Sequence, residues 1–128
     1  MSLAAQARSL LLPVLLGGAG VLHLAWPAPF VHVVPAWLPD PAALVLVSGV
    51  GLMAGAVGLR VPAVRHWAAL GLVLLLAAVL PANVEMLRAA LARGAPALVL
   101  VLLAARLPLQ PLLAWWVWRD AHPRASGA

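Results

Sequence analysis

The sequence predicts an all-α, polytopic membrane protein: a single four-helix bundle with kinked helices and an interfacial first loop. Three observations carry that expectation. Of the 128 residues, 66% are apolar and 9% charged, with a mean hydropathy of +1.09, whereas a soluble domain is typically about 45 to 50% apolar. Four apolar runs, at about 3–25, 41–59, 64–87 and 95–118, each reach the roughly 20 residues that a helix needs to cross the hydrocarbon core. Together they use nearly the whole chain, so no soluble catalytic domain or linker is expected beside them.

The first run opens with Arg8 ahead of apolar residues, a pattern shared with secretory signals. It is expected to be retained, because the run is long for a signal core and Ala25-Trp26-Pro27 is a poor cleavage site. The stretch from Trp26 to Pro41 is too apolar for a solvated linker and too rich in proline for a long helix. A short amphipathic turn between Pro29 and Pro35, anchored by Trp26 and Trp37, would lie in the interface and cover the bundle's outer mouth.

The second run carries Ser48, Gly51, Gly55 and Gly58, spaced by three, four and three, which places four small residues on one helix face. Such stripes let apolar helices approach closely, and this one serves packing within the bundle or between copies as a homo-oligomer. The other three runs contain prolines. Pro13 lies in the first; Pro81 frees the carbonyl of Ala77 in the third; Pro108 and Pro111 free those of Ala104 and Leu107 in the fourth. Kinks are expected there, with Asn83, Arg106, Gln110 and water as donors to the freed carbonyls.

Orientation follows from arginine, because lysine is absent. Arg8, Arg60, Arg65, Arg119 and Arg124 share one side, and Arg88 and Arg93 flank the third loop on the other. The positive-inside rule then places both termini in the cytoplasm of a cell inner membrane. The tryptophans agree, with Trp26 and Trp37 at the outer interface and Trp67, Trp115, Trp116 and Trp118 at the inner one. Arginines beside anionic lipid account for the net charge of +5 without nucleic acid. The chain has no cysteine, which excludes disulfide exchange, thiolate catalysis and cysteine-ligated metal clusters within it. Any electrons must be carried by a quinone, a bound cofactor or a partner.

Arg106 is the costliest residue of the fourth run. A charge at mid-helix in lipid costs roughly 2.5 to 3.5 kcal/mol on insertion scales, so it calls for a partner. His23, Asn83, Glu85, Arg106 and Gln110 fall at depths that would let them meet in a pocket open to the outside beneath the first loop. In that pocket Arg106 would draw an anion or carbonyl oxygen, and Asn83 and Gln110 would add neutral hydrogen bonds. Each has a simpler role as well. Glu85 can pair with Arg88 at i, i+3, Arg106 can bond Glu85 or kink carbonyls, and His23 can bond locally at the interface. His32, His66 and His122 read as loop residues. No two histidines share a carboxylate at ligand spacing, so no metal site is expected, and no catalytic constellation is present.

Several strings resemble the DoxX-like family of small four-helix bacterial membrane proteins: Gly20-Val21-Leu22-His23, Val34-Pro35-Ala36-Trp37-Leu38-Pro39, Ser48-Gly49, Leu80-Pro81-Ala82-Asn83-Val84-Glu85-Met86 and Arg106-Leu107-Pro108-Leu109-Gln110. The resemblance runs from about Gly17 to Trp118. It implies an accessory subunit or assembly factor of a membrane redox complex, since relatives include a subunit of thiosulfate:quinone oxidoreductase and a maturation protein of methylamine dehydrogenase. The alternative is a membrane component that itself binds a quinone or anionic metabolite around Arg106. Family members usually carry a glutamate four residues after the serine of the Ser-Gly pair; here that position is Leu52. Arg106 then lacks that partner, and Glu85 either replaces it or leaves the chemistry changed.

Overall fold

The computed structural model describes residues 2–32 and 34–123. These form five helices and no strand: α1 (Leu3–Ala25), α2 (Ala28–Val31), α3 (Pro41–Gly58), α4 (Arg65–Ala92) and α5 (Ala97–Ala121). All except α2 are long and apolar enough to cross a membrane. Each runs as one unbroken element through its prolines, Pro13 in α1, Pro81 in α4, and Pro108 and Pro111 in α5. The interruptions expected at these prolines are therefore not breaks in the helices.

Local chemistry sets the ends. Ser2 caps α1 by accepting the Ala5 amide at 3.1 Å. Asp40 caps α3 from the left-handed region, at φ 45°, and accepts the Ala43 amide at 3.2 Å, with Pro41 supplying a preset first helical residue. Asp40→Ala should lower stability by about 1 to 2 kcal/mol, through the missing cap and the left-handed backbone. Asp40→Asn, which satisfies both demands, should not; chemical denaturation of the two variants checks this.

Helix α4 extends five residues beyond the expected Leu87 and stops at Gly94, whose φ of 67° suits glycine. The Ala95 amide donates to the Ala90 carbonyl at 3.0 Å and the Gly94 amide to that of Leu91 at 3.2 Å, the paired bonds of a Schellman motif. Helix α2 starts before the expected turn, with Pro29 in its first turn, where a missing amide hydrogen is tolerated. Pro35, just after it, is fully buried.

The helices pack in chain order, α1 on α3, α3 on α4 and α4 on α5, with α2 against α3. Leu12 and Leu16 of α1, Leu52 and Ala56 of α3, Leu72 and Leu76 of α4, and Val117 of α5 belong to one buried apolar cluster. Leu59, after α3, and Ala69 and Ala121 complete its buried residues. This core joins the C-terminal half of α3 to the N-terminal half of α4, at the end where α5 finishes. The Arg65 Nε donates to the Leu59 carbonyl at 3.0 Å and ties the α3–α4 turn.

Glycines set two close approaches. A Cβ on Gly55 would lie 2.5 Å from Leu72, one on Gly58 2.7 Å from Ala68, and one on Gly51 3.3 Å from Leu75. The glycines of the small-residue stripe thus pack inside the chain, against α4. The second approach is between α1 and α3. A Cβ on Gly20 would meet the Gly49 carbonyl oxygen at 2.7 Å, and one on Gly49 would meet the His23 Cβ at 2.8 Å.

Candidate functional site

The five polar candidates occupy different environments. His23, half-buried near the end of α1, places Nδ1 2.7 Å from the Ala19 carbonyl. A carbonyl only accepts, so Nδ1 carries the proton and donates. The His23 ring also stacks on Phe30 of α2, centroids 3.8 Å apart and planes 20° from parallel. His23 is thereby the post on which the first loop's short helix rests, the local role among its two expected ones.

Glu85 and Arg88 form a two-pronged ion pair, Nε to Oε2 at 2.8 Å and Nη2 to Oε1 at 2.5 Å, within two turns of the end of α4. The pocket role of Glu85 as the charge facing Arg106 needed it to reach another helix. Its own helix offers Arg88 three residues away, where adjacency costs less side-chain ordering. Leu52, at the position where a glutamate would have been informative, belongs to the apolar core.

Arg106 is exposed on α5, and its Nη1 lies 3.4 Å from the Met86 Sδ of α4. A thioether is a weak acceptor and leaves the guanidinium largely uncompensated. One turn further, Gln110 is 8% exposed, and its Oε1 is buried with no donor among the described residues. Asn83 on α4 is equally enclosed, at 9%. These are the buried polar side chains among the described residues. Among the described residues, no hydrogen bond or ion pair joins any two of the five candidates. What the fold does bring together is an arginine and a methionine across the α4–α5 contact, with an enclosed amide on each of those helices.

Other groupings were not expected from the sequence. His66 stands in the first turn of α4 and His122 caps α5, so neither is a free loop residue. His66 Nδ1 and His122 Nε2 are 2.7 Å apart, while His122 Nδ1 lies 3.0 Å from the Trp118 carbonyl. His122 must donate from Nδ1, so in its neutral form Nε2 accepts and His66 Nδ1 donates. Trp118 packs on both rings, with centroids at 5.7 Å and 4.2 Å. The available signal was positional: the start of the third apolar run and the end of the fourth share one side. At that same end a cavity of about 490 Å³ opens between the first turns of α1 and the last of α5. A second, of about 300 Å³, is an apolar groove between α1 and α3 that Arg60 borders.

Residues 12–121, from the core leucine of α1 to the last residue of α5, match a family model described as a domain of unknown function, DUF8561. No curated protein and no solved structure matches the chain.

Proposed function

We propose, from the premise that the chain belongs to the DUF8561 family, that it is a small multi-pass protein of the bacterial inner membrane that serves as an accessory subunit or assembly factor of a larger redox complex. The observation that carries this reading is Arg106, exposed on an apolar helix with a thioether as its only hydrogen-bonding contact among the described residues. Arg106 lies nine residues into α5, about 14 Å along the helix, at a depth where a bare charge is expensive. A partner helix bringing a carboxylate or a free carbonyl to that depth offsets the cost, and α5 has the surface to receive it. The helix buries Gln110, Val117 and Ala121 and leaves Leu98, Val101, Leu102, Leu109 and Leu112 exposed.

The DoxX-like resemblance supports the same class of role, and the lack of cysteine leaves electron carriage to a partner. The arginine distribution supports cytoplasmic termini: Arg8, Arg60, Arg65 and Arg119 gather at the start of α1, the α3–α4 turn and the end of α5. Arg124 lies outside the described residues. A second reading rests on Gln110. A buried acceptor without a donor suits a ligand that brings a hydroxyl, such as the reduced form of a quinone, to the α4–α5 pair.

Native mass spectrometry of the protein extracted gently from its own membranes separates the two. A stoichiometric second protein, absent from Arg106→Ala while the helical fold persists, is the expected result. A retained quinone without a protein partner would favour the second reading, and a bare chain with neither would overturn both.

A further inference from the structure

The cavity between α1 and α5 is lined by Ser2, Arg8, Ser9, Leu11, Trp116 and Asp120, among others. It lies at the start of α1 and the end of α5, whose main packing partners are α3 and α4. Two opposite charges face the same space. Among the described residues the ion pair is Glu85–Arg88, so Arg8 and Asp120 flank the cavity without closing on each other. A cavity lined by both signs suits a ligand that carries both signs.

We infer that this cavity binds the head group of a zwitterionic phospholipid with a primary ammonium, of the phosphatidylethanolamine type. Arg8 takes the phosphate and Asp120 takes the ammonium.

The two serines divide in the same way. Ser2 Oγ already accepts from the Ala5 amide, which leaves its proton free to donate to a phosphate oxygen. Ser9 Oγ already donates to the Gln6 carbonyl at 2.8 Å, which leaves its lone pairs to accept from an ammonium. The polar wall is therefore split into donors for an anion and acceptors for a cation. Leu11 and Trp116 are the large apolar members of the lining, beside Ala4 and Ala5. Below them Leu15 of α1 and Leu112 of α5 are exposed, a surface suited to acyl chains rather than to a soluble metabolite. A tryptophan beside an arginine at a helix end matches the headgroup level of a bilayer. The inference rests on the membrane-spanning part of the proposed function and is independent of a partner at Arg106.

The test offers the purified full-length protein equimolar phosphatidylethanolamine, phosphatidylglycerol and phosphatidylcholine with identical acyl chains, and counts lipid retained by native mass spectrometry. Phosphatidylethanolamine should be retained about tenfold over the others, roughly the worth of one charge-assisted hydrogen bond. Phosphatidylcholine has the same phosphate but no ammonium hydrogens, and phosphatidylglycerol has no cation. Asp120→Asn should abolish the preference while phosphate-dependent retention persists. Arg8→Ala should remove the bound lipid, and Arg8→Lys, which keeps the charge, should restore it. Equal retention of the three lipids, a preference for phosphatidylglycerol, or retention indifferent to both substitutions would overturn the inference. Circular dichroism of each variant shows that the helices persist, so a loss of lipid is not read from an unfolded chain.

Discussion

Gly20→Ala is expected to cost about 2 to 3 kcal/mol, the range of an overpacked interior, although alanine is the better helix former. The added carbon would sit 2.7 Å from the Gly49 carbonyl oxygen and 3.0 Å from the Met53 amide nitrogen, both backbone atoms. A side chain can rotate away from such a clash; a backbone must carry its whole helix with it. A Cβ on Gly49 would in turn lie 3.1 Å from the Gly20 carbonyl oxygen, so the same crossing resists substitution from either side. Gly18 is the internal control. Nothing lies within 4 Å of a Cβ placed there, so Gly18→Ala should raise stability by about 0.5 to 1 kcal/mol through helix propensity alone. Two substitutions two residues apart thus move stability in opposite directions. Steric-trap or denaturant unfolding in bicelles reads both, and a neutral Gly20→Ala would show that α1 and α3 do not cross where the structure has them.

Arg106→Leu is expected to make the isolated protein easier to insert and, at the same time, unable to hold its partner. Insertion scales put the relief at roughly 3 kcal/mol for a mid-helix arginine replaced by leucine. Against that relief stands, among the described residues, only the approach of the guanidinium to the Met86 Sδ. A structural arginine would behave oppositely, because removing one member of a satisfied buried network leaves its partners stranded. An insertion assay of α5 within the full chain gives the first quantity and co-purification gives the second. Easier insertion with unchanged co-purification would separate Arg106 from partner binding.

Much of the architecture was legible because a bilayer demands long apolar runs and this chain supplies four. The starts and ends agree within two or three residues except at the end of α4. There Arg88 and Arg93 read as flanking the loop, whereas the helix runs on past the Glu85–Arg88 pair and the stop comes at Gly94. The destination of the Gly51, Gly55 and Gly58 stripe was not legible, since a smooth face does not announce its partner. It faces α4 of the same chain. Gly20 and Gly49 went unpaired for a related reason: their contact depends on the register between two helices joined by a 15-residue connection, which no local pattern encodes.

The candidate site was less legible still. Depth along each helix can be counted, but facing cannot when leucine, valine and alanine surround every polar residue. The counted depths placed Asn83, Glu85, Arg106 and Gln110 within reach of one another. Rotation then sent Glu85 to Arg88 and Arg106 outward to Met86, and enclosed Asn83 and Gln110. His66 and His122 escaped notice because each was judged alone, whereas antiparallel packing brings the start of α4 beside the end of α5.

The unequal lengths of neighbouring helices carry a further consequence. Helix α3 has 18 residues and α4 has 28, so they measure about 27 Å and about 42 Å. The Gly55 and Gly58 contacts level them at the end where α3 finishes, which leaves the other end stepped, with α2 and the buried Pro35 beside the shorter helix. A hydrocarbon layer about 30 Å thick is close to the length of α3, so the surplus of α4, which carries the Glu85–Arg88 ion pair, would stand beyond it in the interface. The step between the two helices would thus lift that ion pair to headgroup level, where a charge needs no partner from within the hydrocarbon.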